Sequence, residues 1–225
     1  MAATGAFAGR ATEFARATEG IGHSAGVYLV GRAGVGKTRL GEAVAEWAEA
    51  AGHEVVRVRA TAGSSELPFG VFLTQLSASE RFLTPMFTEI RERLLERAGG
   101  RPLLLCIDDI DRLDDPSAVL IHQMVASREA KLVATLRLGR MAPSEILELA
   151  QRGELLRMEI GPLSRADAEL VADGLLRREA HHAARVPELS RDDIVDLFDN
   201  RALLEAAAMS ALAHGGTIPA EALEA

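Results

Sequence analysis

Short apolar runs alternate with amphipathic stretches along most of this chain. The uniformly apolar or strictly alternating runs predict five β-strands, at residues 27–30, 53–59, 103–107, 131–136 and 155–160. The intervening stretches place apolar residues at helical spacing and predict helices at residues 11–18, 39–50, 69–76, 85–98, 117–126 and 144–151. Strands that alternate with helices in this way favour a parallel sheet with helices on both faces.

The pattern changes at Gly161 and Pro162, after which no further strand is predicted. The remaining sequence is helical in pattern and begins with Ser164-x-x-Asp167, which is typical of a capping box. We therefore expect an α/β core at residues 1–161 and a small helical lid at residues 162–225. Because the last residues look like the beginning of another element, we expect the lid to be truncated.

The amino-acid composition limits the classes of protein to which this chain can belong. The 225 residues are 48% hydrophobic, which allows one sizeable core and a small second unit. The formal net charge of −8 disfavours nucleic-acid binding by this segment, since contacts with the phosphates need clustered Lys and Arg. The single cysteine, Cys106, lies in an apolar run, which predicts a small core residue and a reducing, cytoplasmic location. No apolar run approaches the length of a membrane span, and the first residues lack the features of a signal peptide.

The first candidate site is the sequence G-x-x-x-x-G-K-T at residues 31–38, the Walker A pattern, which lies between a predicted strand and a predicted helix. Its glycines let successive backbone N–H groups converge on a phosphate at the positive end of the helix. Lys37 can reach the β- and γ-phosphates, and the Thr38 hydroxyl can bind Mg²⁺. The predicted nucleotide-binding residues here are Gly31, Gly34, Val35, Gly36, Lys37, Thr38 and Arg39. The alternative is a glycine turn before an ordinary helix.

The second candidate site follows the apolar strand at 103–107, where Asp108 and Asp109 form a Walker B pattern. Ligands bind at the carboxyl ends of the strands in a parallel sheet, so Asp108 is predicted to hold Mg²⁺ near the Walker A loop. Asp109 is placed to orient or deprotonate an attacking water. The alternative is that the two acids simply begin a turn. The further acids Asp111, Asp114 and Asp115 are predicted to form a solvated face.

Arg137 ends the fourth predicted strand and is a candidate for stabilising charge on the transferring phosphoryl group. An arginine exposed to solvent at a strand end is the alternative. Other P-loop classes fit less well. The only Asn is Asn200, which excludes a guanine-specific N-K-x-D motif, and no L-S-G-G-Q transporter motif is present. A small-molecule kinase stays open but explains the aspartate pair less well.

Several motifs together resemble the ATPase module of LuxR-type large ATP-binding transcriptional regulators, which belong to the signal-transduction ATPases with numerous domains, a branch of the AAA+-related P-loop proteins. The motifs, in chain order, are FAGRATEF, GRAGVGKTRL, LPFGVF, PLLLCIDDIDRLDDPS, LVATLR and GPLSRADAELV. The resemblance implies that Gly9 and Arg10 lie near the nucleotide base. It also implies that DNA is bound through C-terminal domains that this chain does not contain. The expected fold is a three-layer P-loop sandwich with five parallel strands in the order 5-1-4-3-2 and a helical lid.

The lid departs from the family, because Arg201 replaces a proline that commonly senses the nucleotide. Arg201 is therefore a candidate phosphate sensor within its own subunit, and Arg152 is a candidate finger that enters a neighbouring subunit's site. A surface arginine is the alternative for both.

We expect Mg²⁺-dependent binding of ATP or ADP, slow hydrolysis and self-association on ATP binding. Slow hydrolysis is expected because Asp109 is shorter than the Glu that many related ATPases use. The resemblance favours a switch module of a transcriptional regulator. An oligomeric AAA+ motor or loader subunit and a degenerate nucleotide-binding scaffold without turnover remain alternatives.

Overall fold

A computed structural model describes residues 9–75, 86–168 and 170–171. The chain forms two compact units, and each is described by itself. The larger unit comprises Phe14–Gly31 and Lys37–Glu159. The described parts of the smaller unit are residues 9–13, 32–36, 160–168 and 170–171. The predicted capping box lies within the described residues, where the Asp167 amide donates a 3.1 Å hydrogen bond to the Ser164 hydroxyl and residues 165–168 and 170–171 are helical. The other predicted lid helices and Arg201 lie outside the described residues, and the predicted domain boundary at 161 stays a prediction.

The larger unit contains a five-stranded sheet in which every strand is parallel to its neighbours. Its strands are β1 (Gly26–Gly31), β2 (Glu54–Arg59), β3 (Leu103–Asp108), β4 (Ala130–Arg137) and β5 (Leu155–Glu159). Their order across the sheet is β2-β3-β4-β1-β5. This is the predicted order 5-1-4-3-2 counted from the opposite edge, so the predicted P-loop NTPase fold is confirmed.

Of the described α-helices, the first precedes β1 and each of the others lies between two strands in sequence. They are α1 (Ala11–His23), α2 (Lys37–Ala50), α3 (Met86–Ala98), α4 (Asp115–Ala126) and α5 (Ser144–Gln151). Among the described residues, two short 3₁₀ helices occupy Gly70–Gln75 and Ile110–Arg112. The helix predicted at residues 69–76 is thus a 3₁₀ helix.

Alternation along the strands gives the sheet its two covered faces. On β3, Leu103, Leu105 and Ile107 belong to one buried cluster with residues of α3, α4 and α5. The intervening Cys106 faces the opposite side, where its thiol lies 3.8 Å from the carbonyl of Gly41 in α2. Helices therefore cover both faces, which is why the strands read as continuous apolar runs.

Asp114 departs from the predicted solvated acidic face, because its side chain is only 7% exposed. It is the N-cap of α4, accepting hydrogen bonds from the Ser117 amide at 2.9 Å and the Ser117 hydroxyl at 2.7 Å. It also accepts a 2.8 Å hydrogen bond from the amide of Phe69, whose φ is 55°. These donors compensate the burial of the carboxylate, so the expectation of a solvated Asp114 was wrong.

Candidate nucleotide site

The Walker A loop connects β1 to α2. Gly34 and Gly36 have φ angles of 78° and 91°, a region that side chains with a Cβ rarely adopt. Helix α2 begins at Lys37 and has no acidic residue in its first turn, so the partial positive charge of its N-terminus is not neutralised locally. The local backbone is therefore that of an anion-binding loop.

Lys37 is only 7% exposed although it is charged. Burial lowers the pKa of Lys37, and the positive charge of Arg137 acts in the same direction, whereas Asp109 and Asp108 oppose them. A buried ammonium with a second cation near it favours an anion, because an anion offsets the cost of desolvating both charges. Lys37 and Arg137 are thus near enough to influence each other electrostatically, and their predicted contacts with the phosphates stay a prediction.

Asp108 joins the two Walker motifs. Its Oδ1 accepts a 2.9 Å hydrogen bond from the Thr38 hydroxyl on α2 and a 2.5 Å hydrogen bond from the Thr135 hydroxyl on β4. Its Oδ2 is buried and has no hydrogen-bond donor. The predicted Mg²⁺ ligands Thr38 and Asp108 are therefore adjacent.

This arrangement fits Mg²⁺, which prefers hard oxygen ligands and usually binds through one or two protein groups plus phosphates and water. The Oδ2 atom of Asp108 has a lone-pair site that no protein donor uses. The described residues contain no group of three or more His, Cys, Asp or Glu side chains that could hold a metal ion unaided. Thr38 and Asp108 could therefore hold Mg²⁺ only together with further oxygen ligands, such as phosphate or water oxygens.

Asp109 has an unusual backbone conformation, with φ 57° and ψ 55°. Its amide donates a 2.9 Å hydrogen bond to the Thr135 hydroxyl, the same group that donates to Asp108. Thr135 therefore fixes both aspartates, a role that the sequence analysis did not assign to it. Its position two residues before Arg137 on the same strand was the available signal.

Arg59, at the end of β2, also went unpredicted. Its Nε lies 3.3 Å from Oδ2 of Asp108, and its Nη2 lies 4.0 Å from Oδ2 of Asp109. The contact with Asp108 is an ion pair without hydrogen-bond geometry, which is why Oδ2 still lacks a donor.

A cavity of about 220 Å³ opens beside these carboxylates, between α2 and the strands β2, β3 and β4. Its lining includes Cys106 and Gly41 together with Thr38, Asp108 and Thr135. Burial raises the pKa of the Cys106 thiol to about 12, so it stays protonated at neutral pH. Cys106 is therefore a small wall residue and not a nucleophile.

The smaller unit contains Gly9 and Arg10. The Arg10 guanidinium, 3% exposed, donates to the carbonyls of Val35 at 2.7 Å and Gly161 at 2.6 Å, and to Glu13 at 2.7 Å. These contacts join the N-terminal segment, the Walker A loop and the segment after β5. The predicted role of Gly9 and Arg10 in contacting the nucleotide base stays a prediction.

Two further candidates lie on the surface of the larger unit. Arg39 pairs with Glu42 at 3.5 Å and Glu46 at 3.6 Å along α2. Arg152 follows α5, is 55% exposed and forms an ion pair with Glu148. The finger role of Arg152 stays a prediction.

Parts of this chain match known proteins in sequence. A family model for the AAA domain matches residues 21–140. The HTH-type transcriptional repressor GlaR of Escherichia coli (strain K12) is 34% identical over 79 residues. That match covers 35% of this chain and 36% of GlaR, so it spans little more than a third of the repressor.

Solved structures share the fold at low sequence identity. Domain III of the replication initiation protein DnaA from Thermotoga maritima superposes with a TM-score of 0.62 at 16% identity, covering 90% of this chain and 81% of that one. AMPPCP-bound DnaA from Aquifex aeolicus gives 0.61 at 15% identity, covering 92% and 62%. The Aeropyrum pernix ORC1 protein in complex with DNA gives 0.60 at 20% identity, covering 98% and 65%. No helix in the described ranges is both long and apolar enough to cross a bilayer.

Proposed function

Because the chain belongs to the AAA domain family, we propose that it binds ATP together with Mg²⁺ and hydrolyses it slowly. The observation that carries this proposal is the contact between the two Walker motifs, with the Thr38 hydroxyl 2.9 Å from Oδ1 of Asp108. A hydroxyl and a carboxylate in this relation are the protein ligands that a nucleotide-bound Mg²⁺ requires. The Aquifex DnaA structure contains the ATP analogue AMPPCP, which supports a nucleotide in this fold.

In this proposal, different residues bind the metal and the phosphates. Thr38 and Asp108 would hold Mg²⁺, which neutralises charge on the β- and γ-phosphate oxygens when bound. Lys37 donates to phosphate oxygens and is held charged by them, since an anion raises its lowered pKa. Arg137 stabilises the charge that develops on the γ-phosphoryl group.

Hydrolysis depends on Asp109. Its backbone is fixed by the hydrogen bond to Thr135, so its carboxylate is held at the edge of the site. From there it orients a water and accepts its proton as the water attacks the γ-phosphorus and ADP leaves. The short Asp side chain limits the reach of the carboxylate toward the attacking water, which makes the expected turnover slow.

The cellular role that we favour is an ATP-dependent switch in a LuxR-type transcriptional regulator. The motifs shared with that family and the partial similarity to the repressor GlaR support it. DNA would then be bound by domains outside this chain, and ATP binding would promote self-association. Arg201 would sense the nucleotide from the lid.

An oligomeric AAA+ motor or loader is the second candidate, because the fold is shared with DnaA and ORC1. In that case Arg152 would reach the neighbouring subunit's nucleotide. A degenerate scaffold would bind nucleotide without turnover.

Single-turnover hydrolysis of radiolabelled ATP, measured together with oligomer size, tests the proposal. We expect slow release of γ-phosphate by the parent chain and a loss of at least about a hundredfold in Asp109→Asn, in the range typical of a lost general base. Asp115→Asn, which changes an exposed acid in the first turn of α4, is the matched control and should hydrolyse normally.

The oligomer measurement separates the candidates. Slow turnover with ATP-driven assembly supports a switch, and turnover that rises steeply with protein concentration supports a motor. ATP binding without any turnover indicates a scaffold and contradicts the hydrolytic part of the proposal.

A further inference from the structure

The position of Arg59 follows from strand register. In the parallel pairing of β2 with β3, Arg59 lies opposite Asp108, and Arg57 lies opposite Cys106. Cys106 faces α2, so the same alternation turns Arg57 and Arg59 toward the α2 side of the sheet. Register therefore places a cation beside the Walker B carboxylate.

The two arginines differ in how their charge is used. Arg57 forms a bidentate ion pair with Glu49 on α2, in which Nη1 donates to Oε1 at 2.5 Å and Nη2 donates to Oε2 at 2.9 Å. The side-chain hydrogen bond to Glu49 raises the pKa of Arg57. Arg59 has its ion pairs with Asp108 and Asp109 instead. Its partner atom on Asp108, Oδ2, is the one that lacks a hydrogen-bond donor.

We propose that Arg59 is a built-in counter-cation that competes with the divalent metal for Asp108, so that the metal enters with ATP and not before it. This inference rests on the proposed Mg²⁺–ATP site. The pair is weak enough to be displaced, because the Arg59 side chain is 66% exposed and its Nε lies 3.3 Å away without hydrogen-bond geometry. It still opposes a free cation, since a divalent ion at Oδ2 would lie next to a like charge.

ATP changes the competition between Arg59 and the metal for Asp108. Its phosphates supply further oxygen ligands to the metal and negative charge that offsets Arg59. Metal binding without nucleotide is thus suppressed, and metal binding with nucleotide is not. Arg59 in this way makes occupancy of Asp108 depend on ATP.

Mn²⁺ titration followed by electron paramagnetic resonance tests the inference, because it measures free Mn²⁺ and does not depend on turnover. The full 225-residue chain is titrated with and without saturating AMPPCP. Without AMPPCP, Arg59→Gln should bind Mn²⁺ roughly twofold to fivefold more tightly than the parent, a range set by the weak energy of exposed ion pairs. Arg59→Lys, which keeps the charge, should stay close to the parent.

Arg57→Gln is the matched control, since it removes the same charge from the same face of the same strand and should leave Mn²⁺ affinity unchanged. Adding Asp108→Asn to Arg59→Gln should abolish the gain. If Arg59→Gln and Arg57→Gln give equal Mn²⁺ affinities in both conditions, the inference is overturned. If the parent binds no Mn²⁺ even with AMPPCP, the proposed Mg²⁺–ATP site itself has failed.

Discussion

At the scale of single residues, Asp108 is where three elements meet. Thr38 from α2 and Thr135 from β4 donate to one carboxylate oxygen, and Arg59 from β2 approaches the other. The Walker B pattern predicted the carboxylate, and the Walker A pattern predicted Thr38. Thr135 and Arg59 are 27 and 49 residues away in sequence, so their convergence follows from strand order and register, which the apolar pattern does not encode.

Arg10 is the second residue whose role depends on the fold. Its guanidinium donates hydrogen bonds to the carbonyls of Val35 and Gly161, and both carbonyls would lose this donor if the side chain were removed. We expect Arg10→Ala to destabilise the Walker A loop locally by roughly 1–3 kcal/mol, because the buried Val35 carbonyl loses this donor, whereas water can replace it at the exposed Gly161. Hydrogen exchange of the amides at 32–36, 161 and 163–168 should accelerate by tenfold or more, about the factor that 1.4 kcal/mol produces.

Arg10→Lys should give an intermediate acceleration, because an ammonium cannot reproduce the planar fork. Arg16→Ala, which changes an exposed residue of α1, is the control and should leave these amides unaffected. Unchanged exchange in Arg10→Ala would mean that the guanidinium does not hold the loop.

At the scale of elements, α2 packs closely on the sheet at Gly41. A Cβ built at Gly41 would lie 3.7 Å from Val133, 3.8 Å from Thr135 and 3.9 Å from Cys106, all ordinary contacts. Gly41→Ala should therefore raise the free energy of unfolding by about 0.5–1 kcal/mol, the usual cost of a helical glycine relative to alanine. Urea denaturation checks this value.

Gly26→Ala is the contrasting variant in the same unit. Its Cβ would lie 2.1 Å from the carbonyl oxygen of Leu132, the residue that pairs with Gly26 across β1 and β4. We expect a loss of about 1–3 kcal/mol or more. If Gly41→Ala destabilised the fold as Gly26→Ala does, the space between α2 and the sheet would be too small for a methyl group, which would contradict the prediction for Gly41.

The elements themselves were largely predictable. All five strands were anticipated because buried parallel strands are short apolar runs, and the order was anticipated from the Walker pattern and the family resemblance. Helix ends were less predictable. Helix α4 begins at Asp115 and not at 117, since Asp114 is its buried N-cap, and a capping aspartate in an acidic run looks like solvated surface.

At the scale of the whole molecule, the AAA domain family and the P-loop fold are established, and the biological setting is proposed. The two proposals for this chain, a regulator switch and a motor, use the same residues of the described site. The two proposals differ in the roles that they give to Arg201 and Arg152 and in whether the protein acts as an oligomer. The dependence of turnover on protein concentration therefore separates them.

The measurement that tests the central claim most directly is calorimetric titration of ATP with Mg²⁺ into the parent chain and Lys37→Ala. The variant removes a 7% exposed ammonium whose pKa burial lowers, so it deletes charge from the phosphate site. Arg16→Ala, a charge deletion on α1, is the control. We expect ATP affinity to fall at least about tenfold in Lys37→Ala, because a lost charged hydrogen bond costs about 1.5–3 kcal/mol, and to stay at the parental value in Arg16→Ala. Equal ATP affinity in the parent and Lys37→Ala would contradict a phosphate site at residues 31–38.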